Sequence, residues 1–226
     1  LRLSYLQPLM FFRAADHYLS KQNNDAGENS QFFFSIDSRN HIKNTHLFAT
    51  LFIDEIKMRI MFEKKNRNQI GYQVGGSVVD LPINNLKITA EYTRILPYCY
   101  KHYIPTQTYE SSSYLLGHWI GHNADLLYGS INYRILRGLS VELWGQYYRK
   151  GEEGTLEEQY TSTQPSFLFG LNTNRSWIVM DIKYEIVHEL FIGAQVELYK
   201  ESVEQGDGSF IDSDKRNFYF SVYYGM

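Results

Sequence analysis

Residues 129–150 read GSINYRILRGLSVELWGQYYRK, two strand-length runs around a tight turn at 136–138. Each run is two-faced. In the second, Leu139, Val141, Leu143, Gly145 and Tyr147 fall on one side, and Ser140, Glu142, Trp144, Gln146, Tyr148 and Lys150 fall on the other. In the first, Leu127, Gly129, Ile131, Tyr133 and Ile135 oppose Tyr128, Ser130, Asn132 and Arg134. Side chains along a strand alternate between its faces, so this period of two is a β signal with one apolar and one wet face.

The same alternation recurs along the chain. It predicts strands over 1–13, 29–37, 46–55, 69–80, 86–96, 124–135, 139–150, 177–187, 190–200 and 215–226. In WIVMDIKYEIV, Ile178, Met180, Ile182, Tyr184 and Ile186 oppose Asp181, Lys183 and Glu185. In NFYFSVYYGM, Phe218, Phe220, Val222, Tyr224 and Met226 oppose Tyr219, Ser221 and Tyr223. Short connections near 38–45, 81–85, 136–138 and 188–189 alternate with long polar ones near 14–28, 56–68, 97–123, 151–176 and 201–214. Counting back from a periplasmic C-terminus, every long connection falls outside and every short one inside, the pattern of an outer-membrane barrel. A soluble β-sandwich also alternates. Strands near ten residues, full charges on the polar faces of consecutive strands and aromatics near strand ends favour the transmembrane barrel. The expected fold is therefore all-β, an antiparallel transmembrane outer-membrane β-barrel in a single domain over 1–226.

Composition agrees. Among 226 residues 16% are aromatic, with 19 tyrosines against 3 tryptophans. Tyrosine, with an apolar ring and a polar tip, suits boundaries between oil and water. The net charge of −3 carries no electrostatic footprint for nucleic acid. The lone Cys99 excludes an internal disulfide, and no apolar run is long enough for a membrane helix. EIKMRIMFEKKNRN, 55–68, reads as a short helix at the barrel mouth or a basic loop, and 151–165 as an acidic loop with no fold of its own. Within GYQVGG, 71–76, the glycines suggest a bulge or a close backbone approach inside a strand.

The connection LPYCYKHYIPTQTYESSSYLLGHWIGHN, 96–123, holds the candidate chemistry. Tyr98, Tyr100, Tyr103, Tyr109 and Trp119 could stack on the C–H faces of sugar rings. Arg94, His102, His118, His122, Asn123 and Asp125 could hydrogen-bond their hydroxyls. The same composition suits a loop folded into the lumen as a plug. His118, His122 and Asp125 have ligand chemistry for zinc, but a four-residue spacing aligns ligands on a helix, which Gly117 and Gly121 oppose. Carboxylates at Asp54, Glu55, Glu91, Glu152, Glu153, Glu157 and Glu158 invite a glycosidase reading, with no pair distinguishable from structural charges. No nucleophile elbow or phosphate-cradling loop is present. No cofactor or metal is expected.

Across 91–151 the sequence resembles the Wzi-type capsule-assembly family of outer-membrane proteins, in its Bacteroidetes-like branch. The resemblance rests on Glu91-Tyr92-Thr93-Arg94, Pro97, Tyr100, His102, Tyr109, Leu116-Gly117-His118, Gly121, Asn123-Ala124-Asp125, Leu127 and YYRKG at 147–151. Residues 5–25 and 51–56 are similar to it too. The resemblance implies a barrel of about eighteen strands, within the even-numbered range of such barrels. About ten would be present here, as the C-terminal portion. It implies a lectin-like protein of the bacterial outer membrane that is not an enzyme. Its partners would be capsular or other surface polysaccharide, outer-membrane lipid and, during biogenesis, the barrel-assembly machinery. A porin or solute-transport barrel and an outer-membrane hydrolase acting on glycans are the alternatives.

Overall fold

The structure, a computed structural model, describes residues 31–55, 68–102, 108–112, 114–161 and 164–225. The strand expected over 1–13, the segment 56–67 and Tyr103 lie outside the described residues. One antiparallel sheet of nine strands dominates. Its strands in order of adjacency are β1 (Phe32–Arg39), β2 (Thr45–Glu55), β3 (Gln69–Val79), β4 (Leu86–Ile95), β7 (Ala124–Leu136), β8 (Leu139–Lys150), β9 (Thr173–Val187), β10 (Leu190–Glu204) and β11 (Phe210–Tyr224). Between β4 and β7 lies a two-stranded hairpin of β5 (Glu110–Ser111) and β6 (Tyr114–Leu115). Among the described residues no helix is long and apolar enough to cross a membrane.

Every neighbouring pair in the large sheet is sequential apart from the step over β5 and β6, so the alternation reads directly into register. Ile131 pairs with Ile88 and with Leu143, Leu143 with Met180, Met180 with Val196, and Val196 with Phe218. One face of the sheet is therefore an apolar band running from Phe34 and Ile36 on β1 to Phe218, Phe220 and Val222 on β11, and these residues are exposed. Tyrosines edge it. Tyr72, Tyr92 and Tyr147 lie toward one end of the strands, and Tyr133, Tyr184 and Tyr224 toward the other.

The opposite face is polar and internally paired. Gln73 Nε2 donates to Glu91 Oε1 at 2.8 Å, Arg175 Nε to Glu201 Oε1 at 2.6 Å, and Asn217 Nδ2 to Glu197 Oε2 at 3.2 Å. Lys183 lies over the rings of Phe191 and Tyr223. Glu91 takes its hydrogen bond from Gln73 on this face, whereas Arg94, three residues on, belongs to the apolar side.

Connections at one end of the sheet are tight, at 40–44, 80–85, 137–138 and 188–189. At the other end the described residues of 96–123 and 151–172 form a cap on the polar face. The buried core sits there: Phe52, Ile95, Leu126 and Tyr148 from the sheet meet Cys99, Tyr100 and Ile120 from the cap. Gly75 allows a close approach inside β3, because a Cβ on it would lie 2.5 Å from the Phe48 ring.

Two expectations change. The connection expected at 201–214 contracts to 205–209, since β10 runs on to Glu204 and β11 begins at Phe210. The face that carries the apolar band turns polar there, as in the Ser202–Asp212 and Lys200–Asp212 contacts, so the apolar alternation stops before the strands do. The acidic loop at 151–165 contains helix α1 (Leu156–Thr161). Thr155 Oγ1 accepts from Glu158 N at 3.3 Å, and Glu158 Oε2 accepts from Thr155 N at 2.9 Å. That reciprocal pair is a capping box, whose T-x-x-E signature is legible at 155–158.

Candidate functional site

The cap is built on Asp54 and Asn123. Asp54, buried at the end of β2, accepts from Tyr100 N at 2.8 Å and from Gln31 Nε2 at 3.1 Å. Asn123 is fully buried with φ at 52°, a left-handed conformation that asparagine tolerates better than most residues. Its Nδ2 donates to Glu152 O at 2.8 Å and Phe169 O at 3.2 Å, and its Oδ1 accepts from Leu168 N at 2.8 Å. Its backbone donates to Leu96 O and accepts from Gly151 N. One side chain thus ties 96–123 to both ends of the 151–172 connection. Gln159 of α1 adds a bond to Lys101 O.

Within the cap, aromatic faces are covered by each other. Tyr100 packs between Phe52 and Tyr109, with ring centroids 5.0 and 5.9 Å away. Gly117 lies on the Tyr100 ring so closely that a Cβ there would be 2.5 Å from it. Tyr98 faces His122 and Phe169. Burial pushes the Tyr100 phenol up and the Cys99 thiol well above its ordinary range. His122 Nδ1 accepts from Tyr98 N at 3.2 Å, leaving Nε2 to carry the ring proton, buried and without a partner among the described residues. Burial first, then Lys150 and Lys101, drives the His122 pKa down to about 3, so the ring is neutral. Lys101 holds Glu153 at 3.0 Å and draws its carboxyl below the usual range.

The predicted binding residues therefore separate into three places. Tyr98, Tyr100, His122 and Asn123 are buried in the cap, with Tyr109 half-buried beside them. Their rings and polar atoms are engaged mainly with one another and with the backbone, except that His122 Nε2 has no partner among the described residues and part of the Tyr100 ring lines a cavity under the cap. Arg94 and Asp125 lie on the apolar side at its rim. Asp125 accepts from Arg149 Nε at 2.9 Å, Arg149 Nη2 at 2.5 Å and Tyr92 Oη at 3.0 Å, while the Arg94 guanidinium lies 3.6 Å from the Phe167 ring centroid. Strand parity puts them there, although in sequence they flank the cap. His118 and Trp119 stay at the surface of the cap. Trp119 is 60% exposed, with its ring stacked against His118 and Tyr148, and Tyr114 of β6 is 77% exposed. His102, half-buried, accepts at its carbonyl from Thr108 Oγ1.

His118, His122 and Asp125 do not converge, and no group of three metal-capable side chains occurs among the described residues. A largely apolar cavity of about 250 Å³ lies where the cap meets the polar face, with Phe33, Phe52 and Ile95 in its walls and Thr50, Gln73, Thr93 and His118 as its polar groups. Sequence reasoning missed Thr50, Gln73 and Thr93. Their signal is that they occupy polar-face positions near the strand ends from which the cap departs, and Thr93 also belongs to the 91–94 run that carries the resemblance. Comparison with protein-family models, curated proteins and solved structures finds no match to this chain.

Proposed function

We propose that the chain is part of a transmembrane β-barrel of the bacterial outer membrane whose capped mouth holds capsular or other surface polysaccharide without cleaving it. The observation that carries the reading is the apolar band. All nine strands of the large sheet expose apolar side chains on the same face. Soluble proteins rarely leave contiguous apolar surface beyond a few hundred Å². From Leu139 to Tyr147 the band on β8 spans eight residue steps, roughly 27 Å along the strand. With a strand tilt of about 40° that is close to the apolar height of an outer-membrane barrel. The two rows of tyrosines fit its interfacial girdles. Among the described residues β1 and β11 each pair on one side only. Open edges are unfavourable in lipid, so closure requires further pairing at both.

The polysaccharide half rests on the resemblance carried by 91–151 and on the exposed aromatics of the cap. Trp119 and Tyr114 are exposed aromatics beside the half-buried His118, the pairing of apolar ring surface and hydrogen-bonding groups that saccharides need. The filled cap argues for a receptor over an open channel. The test is retention of polysaccharide on cells making the full-length protein with Tyr114→Ala and Trp119→Ala together. Retention falls at least tenfold while the amount of folded protein is unchanged. Undiminished retention would remove these rings from the function, and large single-channel conductance would replace it with transport.

A further inference from the structure

The cavity under the cap contains one feature that the fold does not explain. Thr93 is 3% exposed, and its Oγ1 has no hydrogen-bond partner among the described residues although it lines the cavity. Leaving a buried hydroxyl unpaired costs about 1–3 kcal/mol, and valine would fill the same space without that cost. Threonine at this position makes sense when something else supplies the partner.

The surroundings narrow what that is. Phe33, 56% exposed, and Tyr100 provide apolar ring surface. Gln73, held by Glu91, contributes an amide, and Thr50, bonded to Ser35 at 3.1 Å, a hydroxyl. His118 Nδ1 accepts from Ile120 N at 3.4 Å, which assigns the ring proton to Nε2 as a donor. Apolar walls with donors and acceptors spread around them match a saccharide ring, whose faces are C–H and whose edge is hydroxyl. The volume of about 250 Å³ lies just under the range for drug-sized ligands, so one ring fits and a longer oligomer must extend outward. None of the residues lining the cavity is Lys or Arg, and the Glu91 carboxylate stands behind Gln73. A carboxylate brought in here would find no cation and would meet a like charge.

We propose that this cavity is a subsite for a single pyranose residue that bears no carboxylate, held by Thr93, Gln73 and His118 against Phe33 and Tyr100. The inference rests on the polysaccharide reading above and specifies which residue of the glycan the protein grips, and where.

The experiment uses the full-length protein in detergent micelles and saturation-transfer NMR. The probes are methyl glycosides of glucose, galactose, mannose and their 2-acetamido forms, with the methyl uronides as counterparts. At least one neutral glycoside binds, and its uronide binds at least tenfold more weakly. Thr93→Val weakens the neutral ligand about tenfold, the loss of one hydrogen bond in a dry site, with thermal stability unchanged or raised. Phe33→Ala, at an exposed position, weakens it without unfolding. A uronide that binds as well as its neutral partner overturns the proposal, as does wild-type affinity in Thr93→Val. If no glycoside binds while cells still retain polysaccharide through Trp119 and Tyr114, the subsite falls and the surface reading stands. If glycosides bind and lose affinity in Thr93→Val but cells retain no polysaccharide, the subsite stands and the surface reading falls.

Discussion

Replacing Asn123 should open the cap while leaving the sheet intact. Asn123→Ala removes two donated hydrogen bonds and one accepted bond, and takes their partner from Leu168 N and the Glu152 carbonyl in a part-buried setting, while the Phe169 carbonyl keeps its bond from Glu152 N. Each bond is worth about 1 kcal/mol net, more where the remaining partner stays dry. Alanine also meets a left-handed φ of 52°, at about 1 kcal/mol or more. Closure of the cap should weaken by about 3–5 kcal/mol, a hundredfold or greater shift in the opening equilibrium. Cys99 reports it directly, being fully buried within the cap and the only cysteine in the chain. Its thiol reacts only when the cap opens, so the labelling rate with a thiol reagent should rise at least a hundredfold. Asn123→Gly, free of the backbone strain, should rise roughly fivefold less than alanine. Cysteines elsewhere in a longer protein are controlled with Cys99→Ser. A rate in Asn123→Ala within threefold of wild type would refute the idea that this side chain holds the cap, and equal rates for Ala and Gly would refute the strain argument.

Acid should loosen the same element. His122 is neutral in the closed cap with its pKa near 3 and returns toward 6.5 when the cap opens. The open state then binds the extra proton, so closure loses stability as pH falls below about 6.5 and stops losing it near 3. Between pH 6.5 and 5, above the carboxylate range, amide exchange over 96–102 and 114–123 should accelerate roughly 15-fold after correction for intrinsic rates. A His122→Gln chain that keeps the full pH response would place its origin elsewhere. Ile131→Arg sits mid-band between Ile88 and Leu143. If that face meets lipid, folding of the full-length protein into vesicles should lose about 2–4 kcal/mol. A loss within about 0.5 kcal/mol, usual for a solvent-facing position, would mean that the band does not contact a membrane.

Strand identity and register were legible in the sequence because the side-chain period of a strand is two and sequential hairpins pair neighbours. The run 139–150 matches β8 to the residue, and an alternation that holds through both partners of a hairpin leaves one register in which apolar meets apolar. The apolar and wet faces were likewise readable, with Glu91, Trp144 and Lys183 on one and Ile131 and Met180 on the other. The limits of β9, β10 and β11 at the cap end were not, because the banded face turns polar there, at Ser176, Lys200, Ser202 and Asp212, and the alternation stops.

The chemistry of 96–123 was the harder part. Tyrosine, histidine and asparagine in a connection serve a receptor surface and a packed plug equally well, since each satisfies its polar tip with either a ligand or a neighbour. Only the tertiary structure separates Tyr100, covered by Gly117, Phe52 and Tyr109, from Trp119, open to solvent. Long-range hydrogen bonds decide it. Asn123 reaches Leu168, and Asp54 reaches Tyr100, over sequence distances at which no local pattern constrains a partner. The sequence determines the two-faced sheet through local periodicity. Which polar residues are consumed in holding its cap, and which, like Thr93, are left waiting for a partner, is settled by what the fold brings next to them.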